Sequence, residues 1–168
     1  MKLSSLAVAL MVSVLPVSAK AGERTTAEQR NVRTVLRLFD EGWGANADWE
    51  TVWRETMTPD FTYYFHSHPP QVGLEDAITF NRALFAGFPG LEVSVEEIVV
   101  EGDVVVVRSR LTGAQDGVFL GVPPSGEIVD VSDVTLVRFV DGLVAEQHYF
   151  TDLLAVMTTI GAVPKPSE

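Results

Sequence analysis

The sequence of 168 residues contains no cysteine. Disulfide bridges, thiolate metal sites, thiol nucleophiles and lipid-modified cysteines are therefore excluded. A domain of this size buries roughly two-thirds of its surface on folding, so a packed core can stabilise it without cross-links.

Basic residues are scarce as well. The chain has 12 lysines and arginines against 23 aspartates and glutamates, which gives a formal net charge of −11. Binding to nucleic acid requires clustered basic side chains, and no such cluster is present. An anionic membrane surface is disfavoured for the same reason, and we expect the acidity to provide solubility.

Long apolar runs are missing except at the N-terminus. After Met1 and Lys2, residues 3–17 carry no charge and are mostly apolar, and small residues follow up to Ala21. This order is typical of a cleavable secretory signal peptide. The alternative, a transmembrane anchor, needs about 20 apolar residues and is therefore disfavoured.

We accordingly expect three segments: a signal peptide at 1–21, one domain at 22–163, and a short tail at 164–168. Cleavage after Ala19 and cleavage after Ala21 both fit the small residues at this site. The mature protein is then predicted to be secreted or periplasmic, with no further contact with the membrane.

Helical patterns occupy the first half of the domain. Thr25 and Glu28 are spaced as a capping box, which predicts a helix that begins there and ends at Gly42 and Gly44. Asp48 is placed to cap a second, short helix. A strand is predicted from Phe61 to Phe65, and a third helix from about Leu74 to Phe88.

The second half has the alternating pattern of antiparallel strands. Leu91, Val93 and Val95 alternate with polar residues, and hairpin turns are predicted at 101–103 and 141–142. A final helical turn is expected at 153–160. Helices followed by hairpins predict an α+β fold, with the N-terminal helices packed on a strongly curved antiparallel sheet that forms a cone-shaped pocket.

The predicted last strand carries a polar row. Because side chains alternate along a strand, Glu146, His148 and Phe150 share one side, and Asp152 joins them if the strand extends that far. This row is interpreted either as the lining of a cavity or as a solvent-exposed face.

This half of the chain resembles a known family. The stretch FLGVPPSGEIVDVSDVTLVRFVDGLVAEQHYFTDLLAVMTTIG is similar to the C-terminal half of SnoaL-like polyketide cyclases, in the nuclear-transport-factor-like superfamily. That family has a G-x-F-x-G-x-P-P-T-G-like loop, then R-x-x-D-G-K-I-x-E-x-W-x-x-x-D, then Q-L-G. The segments YYFHSHPP and FPGLEVSVEEIVVEGDVVVVR also occur in family order, so the resemblance covers most of the mature chain.

The resemblance implies an α+β barrel-like cone and intramolecular aldol ring closure, with neither a metal nor a cofactor. It also implies that Asp152, which matches the last aspartate of the family motif, is the catalytic acid/base. One carboxyl group can serve as base and then as acid if burial raises its pKa. The alternative role of Asp152 is to cap the helix that begins at Leu153.

The sequence departs from the family pattern at two positions that concern the pocket. His148 replaces the motif tryptophan, and Ala114-Gln115 replaces a threonine-histidine pair. We expect Gln115 to take a place in the pocket wall, and His148 to supply an imidazole from a neighbouring strand.

His66 and His68 share a face if they lie in a strand, and such a pair can begin a metal site. A third ligand is missing nearby, so no metal is predicted. The resemblance places one of them at the pocket mouth; ordinary structural histidines are the other interpretation. Arg108, Arg110 and Arg138 are expected to form ion pairs with Glu146 or Asp133, or to orient an anionic substrate.

Two functions remain open. One is a cofactor-free cyclase, isomerase or lyase that acts on a hydrophobic carbonyl compound. The other is a non-catalytic extracytoplasmic protein that binds an apolar ligand. Export favours capture or breakdown of an external compound over polyketide biosynthesis, and the resemblance implies a homodimer through the open face of the sheet.

Overall fold

The computed structural model describes residues 23–43, 48–66 and 68–164. The predicted signal peptide, Gly44 and all of the tail except Pro164 lie outside these residues. Within the described ranges, no helix is both long enough and apolar enough to cross a membrane.

Helix α1 (Thr26–Glu41) begins with the predicted capping box. The Glu28 amide donates to the Thr25 hydroxyl at 3.2 Å, and the Thr25 amide donates to the Glu28 carboxylate at 2.7 Å. The helix ends at Gly42, where a Cβ would lie 2.6 Å from the Leu38 carbonyl oxygen. Helix α2 (Trp49–Thr56) follows Asp48, which makes no capping hydrogen bond through its side chain.

Within the described part of the chain, six strands and two further helices complete the fold. The strands are β1 (Met57–Phe65), β2 (Gln71–Val72), β3 (Glu92–Glu101), β4 (Val104–Ala114), β5 (Ile128–Val140) and β6 (Leu143–Thr151). Helix α3 (Leu74–Gly87) lies between β2 and β3 in the chain, and α4 (Leu153–Thr159) follows β6.

The strands form one sheet in the order β2-β1-β6-β5-β4-β3. All neighbouring strands are antiparallel except β1 and β6, which are parallel. The β1–β6 pair therefore differs from the predicted antiparallel sheet. Parallel neighbours need a long crossover, and here α3 and four strands separate β1 from β6 in the chain.

The helices cover one face of this sheet, which we call the inner face, so the predicted α+β architecture is confirmed. Val105, Val107 and Val137 of the inner face are completely buried against the helices. Val35 of α1 and Ile78 of α3 are equally buried from the other side. Each such side chain contributes about 1.5–3 kcal/mol relative to an exposed one.

Helix α1 is also fixed to the sheet by polar contacts at the β3–β4 turn. The Gly102 amide donates to Glu28 at 3.0 Å, and the Asn31 side chain donates to the Gly102 carbonyl at 3.4 Å. Hydrogen bonds from the Thr25 and Gly102 amides lower the pKa of Glu28. These contacts set the position of the helical layer over the inner face.

Candidate active site

An apolar cavity of about 70 Å³ lies between the helices and the inner face of the sheet. Its wall is built almost entirely from aromatic and aliphatic side chains. The aromatic members are Trp43, Tyr63, Phe65, Phe85, Phe88, Phe119 and Tyr149. Thr151 and Asn81 are the polar members other than the two tyrosines.

Directly behind this wall lies a buried carboxyl group, that of Asp133 on β5, which is only 1% exposed. In the register of the sheet, Asp133 is paired with Ser109 of β4 on one side and with Thr151 of β6 on the other. Thr151 donates to Oδ1 at 2.6 Å, Thr135 donates to Oδ2 at 2.9 Å, and Ser109 donates to Oδ2 at 3.5 Å. Three hydroxyl groups therefore satisfy the carboxyl oxygens.

No lysine or arginine among the described residues forms a salt bridge with Asp133. Burial raises the pKa of this carboxyl group, and the hydroxyl donors offset only part of the effect. A carboxyl group with a raised pKa can both accept and return a proton near neutral pH, as acid/base catalysis requires.

Tyr149 of β6 supplies a second buried polar group. Its ring lines the cavity. Its buried hydroxyl lies beside Asp133 and Thr135, but in the described part of the chain it makes no hydrogen bond of normal geometry. Burial raises the pKa of Tyr149, and the charge of Asp133 raises it further. The phenol therefore stays protonated and has a proton to donate.

Thr151 connects the two environments. It lines the cavity and at the same time donates to the carboxyl group of Asp133, which is not itself part of the wall. The arrangement provides an apolar space, a hydroxyl group in contact with a buried carboxyl group, and an unpaired phenol. These are the elements of proton transfer to and from an apolar molecule.

The predicted polar row on β6 lies on the opposite, outer face of the sheet. Glu146, His148 and Phe150 do share one side, but none of them lines the cavity. The His148 ring stacks on Tyr64 at 4.2 Å and lies 2.7 Å from the Glu146 carboxylate, while Phe150 is exposed. The other side of β6, with Gln147 and Tyr149, is the buried one, so the arrangement corresponds to the solvent-exposed alternative, and a role of the polar row in substrate binding stays a prediction.

Asp152 also lies outside the cavity wall. It is exposed, and its Oδ1 accepts a hydrogen bond at 2.9 Å from the Ala155 amide in the first turn of α4. The neighbouring Thr151 and Leu153 do line the cavity. The geometry thus corresponds to the capping alternative, and the catalytic role of Asp152 stays a prediction.

Gln115 does not take the expected place in the cavity wall. It is fully buried, and its side chain bonds to the backbone of the segment that follows β4. The sequence predicted that the Gln115 amide contacts a substrate. In the structure this amide instead holds the segment after β4 together.

His66 and His68 do not share a strand face, because β1 ends at Phe65 and His66 adopts a left-handed conformation with φ 49°. Neither residue lines the cavity, although the His68 ring packs against Phe65 and Phe80. Partial burial lowers the pKa of His66, and His68 adds to the effect. No group of three or more metal-ligating side chains occurs among the described residues.

The three strand arginines lie on the outer face. Arg108 pairs with Glu96, Arg110 with Asp130 at 2.6 Å, and Arg138 approaches Glu146 at 4.0 Å. The expected pairing of Arg138 with Glu146 is therefore present at the limit of contact, whereas Asp133 has no arginine partner in the described ranges.

The alternation of residues along β5 indicates that Asp133 is buried. In β5 the inward positions are Val129, Val131, Asp133, Thr135, Val137 and Phe139. A carboxylate in phase with buried valines must be buried itself, and such residues mark functional sites. The family resemblance implies a catalytic role for Asp152 and says nothing of Asp133.

The model of the SnoaL-like polyketide cyclase family matches residues 33–160. The chain belongs to this family. A crystal structure of a proposed SnoaL-like polyketide cyclase from Jannaschia sp. CCS1 is similar to it with 64% sequence identity and a TM-score of 0.82. The match covers 85% of this chain and 99% of that chain.

More distant structures share the fold. TsrD from Streptomyces laurentii is 24% identical with a TM-score of 0.66, over 84% of this chain and 100% of that chain. IdmH, a proposed polyketide cyclase from Streptomyces antibioticus, is 24% identical with a TM-score of 0.64, over 78% and 98% of the two chains. No functionally curated protein matches the sequence. Membership of the SnoaL-like family indicates a cyclase- or isomerase-type role with a small-molecule substrate.

Proposed function

We propose that this SnoaL-like protein catalyses cofactor-free acid/base chemistry on a small, apolar carbonyl compound, with Asp133 as the group that accepts and returns the proton. The observation that carries the proposal is a buried carboxyl group that has no cationic partner among the described residues and that Thr151 connects to an apolar cavity.

In the proposed step, the substrate lies in the cavity with its carbonyl oxygen at the unpaired hydroxyl of Tyr149. A proton leaves the carbon next to the carbonyl and moves to the oxygen of Thr151, while the proton of that hydroxyl moves to Oδ1 of Asp133. The electron pair of the broken C–H bond forms an enolate, whose oxygen accepts the hydrogen bond from Tyr149.

Two outcomes complete the reaction. The enolate carbon attacks a second carbonyl of the same molecule and closes a ring, after which the proton on Asp133 returns to the new alkoxide. Alternatively, the proton returns to a different carbon, and the substrate is isomerised. Both outcomes leave Asp133 and Thr151 as they began.

The proposal can be tested without knowledge of the natural substrate. In deuterium oxide, NMR follows the exchange of the α-protons of acetone and 2-butanone, which exchange slowly by themselves at neutral pH. We expect the wild-type protein to accelerate exchange and Asp133→Asn to lower the rate by about 10²- to 10⁴-fold. Asp152→Asn is the matched control, since it also removes one carboxylate, and should retain the rate.

Loss of exchange in Asp152→Asn but not in Asp133→Asn would return the catalytic role to Asp152. A wild-type protein that binds these ketones but exchanges no protons would favour the second candidate function, capture of an apolar ligand without catalysis. The almost completely apolar wall supports that candidate.

For localisation, we propose export followed by cleavage after Ala19 or Ala21. The support is the sequence pattern alone. Expression of the full-length chain in a Gram-negative host, followed by intact mass measurement of periplasmic and cytoplasmic fractions, tests it. A periplasmic species that begins at Lys20 or Gly22 is expected, and a full-length cytoplasmic species would contradict export.

We also propose that the partner of the outer face is a second copy of this chain. In register across five strands, this face carries an apolar stripe composed of Tyr64, Leu136, Val106 and Val99, which His148 interrupts between Tyr64 and Leu136. Next to the stripe, Phe150 is 57% exposed and is paired with Val134.

The charge distribution supports a second copy. The chain carries a net charge of −11, yet on the outer face Arg108, Arg110 and Arg138 each lie against acidic residues. The arginines offset part of the negative charge on this face, so two such faces can approach each other with less repulsion than the rest of the acidic surface would produce.

A further inference from the structure

One wall of the cavity comes from an irregular segment, residues 115–127, between β4 and β5. Of this segment, only Phe119 lines the cavity among the described residues. Its ring is 7% exposed and packs edge-on against Phe88 at 5.0 Å between ring centroids. Leu120 and Gly121 both have positive φ angles and form the tight turn that directs Phe119 inward.

Gln115 holds this segment through its side chain. Its Nε2 donates to the carbonyl oxygens of Gly117 at 2.8 Å, Pro123 at 3.1 Å and Val122 at 3.3 Å. Its Oε1 accepts from the Ser125 amide at 2.9 Å. One buried amide group thus bonds to the backbone on both sides of Phe119.

Two glycines bring the same segment against helix α3. The Gly117 amide donates to the Gly87 carbonyl oxygen at 3.1 Å. A Cβ on Gly117 would lie 1.9 Å from the Ala86 carbonyl oxygen, and a Cβ on Gly87 would lie 2.9 Å from Cβ of Phe119. Phe119 is therefore held close to the helix, with its ring in the cavity wall.

The volume of the cavity determines whether this wall must move when a ligand binds. At about 70 Å³ the cavity is smaller than the roughly 150 Å³ that holds benzene in an engineered protein cavity. A ring compound can enter only if a wall residue moves. Most other wall residues belong to helices or to the sheet, whereas Phe119 belongs to a segment without regular structure.

We propose that Phe119 sets the size limit of the ligand that the cavity accepts, and that Gln115 is the positioning residue that keeps Phe119 in place. The inference rests on the proposed function, because it takes the cavity to be the substrate site. In this inference Gln115 affects which ligands bind by holding Phe119 in position. The amide itself does not contact the substrate.

Binding of apolar probes tests the role of Phe119. Benzene, indole and naphthalene are titrated against wild-type protein, Phe119→Leu and Phe119→Ala by calorimetry, with Phe150→Ala as a control for loss of an exposed ring. We expect Phe119→Ala to bind benzene and indole at least tenfold more tightly than wild type and to gain naphthalene binding. Phe119→Leu should be intermediate, and Phe150→Ala should match wild type.

The outcomes separate this inference from the function on which it rests. If the wild-type protein binds the probes and Phe119→Ala has the same selectivity, the size limit lies elsewhere and this inference is overturned. If neither binds any probe, the cavity is no ligand site, and both proposals are overturned. Altered size selectivity in Phe119→Ala, together with α-proton exchange by the wild-type protein, supports both.

Gln115 is tested by Gln115→Met and Gln115→Glu, combined with Phe119→Ala in a double-mutant cycle. Each single variant should shift probe selectivity in the same direction as Phe119→Ala. In the Phe119→Ala background the same substitutions should have no further effect on selectivity, because no ring remains to be held. Additive effects would mean that Gln115 acts only on stability, and thermal melting of all variants provides that reference.

Discussion

The hydroxyl of Thr151 lies 2.6 Å from Oδ1 of Asp133, and Thr151 itself lines the apolar cavity. The two residues are directly paired across β5 and β6, so the sheet register fixes their contact. A buried carboxyl group is thereby connected to the cavity by a single hydrogen bond.

Thr151→Val should weaken catalysis and shift its pH dependence. The Thr151 hydrogen bond lowers the pKa of Asp133, so its removal raises that pKa and moves the rising part of the rate–pH profile to higher pH. Hydrogen bonds to charged groups contribute about 1.5–3 kcal/mol, and we expect the α-proton exchange rate at pH 7 to fall about tenfold or more. Thr151→Ser keeps the hydroxyl and should keep the profile. Equal profiles for the two variants would contradict the role of the hydroxyl.

Asp133→Asn should gain stability relative to wild type as the pH rises. The pKa of Asp133 is raised in the folded protein, so its stabilising contribution is complete below the ordinary pKa of 3.8 and is lost as the pH rises through the raised value. The asparagine does not titrate. Urea unfolding of both proteins between pH 4 and pH 8 should show the difference in unfolding free energy moving in favour of the variant. A difference that is constant over this range would mean that the carboxyl group is not perturbed.

At Asp152, two substitutions separate capping from catalysis. Asparagine is as good an N-cap as aspartate, so Asp152→Asn should retain both stability and α-proton exchange. Asp152→Ala removes the acceptor for the Ala155 amide and should lower the unfolding free energy by about 1 kcal/mol. Chemical denaturation and the exchange assay check both. Stable variants without activity would instead identify Asp152 as catalytic.

Gly117→Ala should damage the cavity wall. The new Cβ would overlap the Ala86 carbonyl oxygen, so the segment that carries Phe119 must move away from α3. Overpacking of this kind costs about 1–3 kcal/mol. Gly90→Ala is the matched control, since no atom lies within 4 Å of the position of its Cβ. Thermal unfolding measures both, and a similar melting temperature for the two variants would show that the segment can move freely.

Phe150→Glu should dissociate the proposed homodimer. Phe150 is exposed beside the apolar stripe, so the substitution places a charge in the interface without disturbing the monomer core. Light scattering coupled to size-exclusion chromatography should give a dimeric mass for wild type and a monomeric mass for the variant. Leu154→Glu, on α4 and equally exposed, should remain dimeric. A monomeric wild-type protein would remove this proposal.

Local sequence signals predicted much of the fold. The Thr25–Glu28 capping box depends on residues three positions apart, and the hairpin turn at Asp141 and Gly142 joins adjacent strands. Each of these features is set by residues that lie close together in the sequence. Together with the family resemblance, they were sufficient for the α+β architecture.

The site was harder to predict because it depends on which face of a strand is covered. Alternation along β6 correctly grouped Glu146, His148 and Phe150, but it does not say which group faces the helices. Tyr149 is buried and Thr151 is half-buried, because they pair with Phe65 and Asp133 on neighbouring strands. The pairing of β1 with β6 in particular joins distant parts of the chain, and no local sequence pattern predicts it.

That same pairing has a consequence for folding. Strand β6, the last in the chain, lies in the middle of the sheet between β1 and β5, and Tyr64 pairs with His148 far along the sequence. Contacts between distant residues form slowly, because a large loop must close before they are gained. The sheet cannot be completed until the C-terminal residues have been synthesised. A chain that stops before β6 would expose the edges of two strands at once, and unpaired edges are the usual starting point of aggregation.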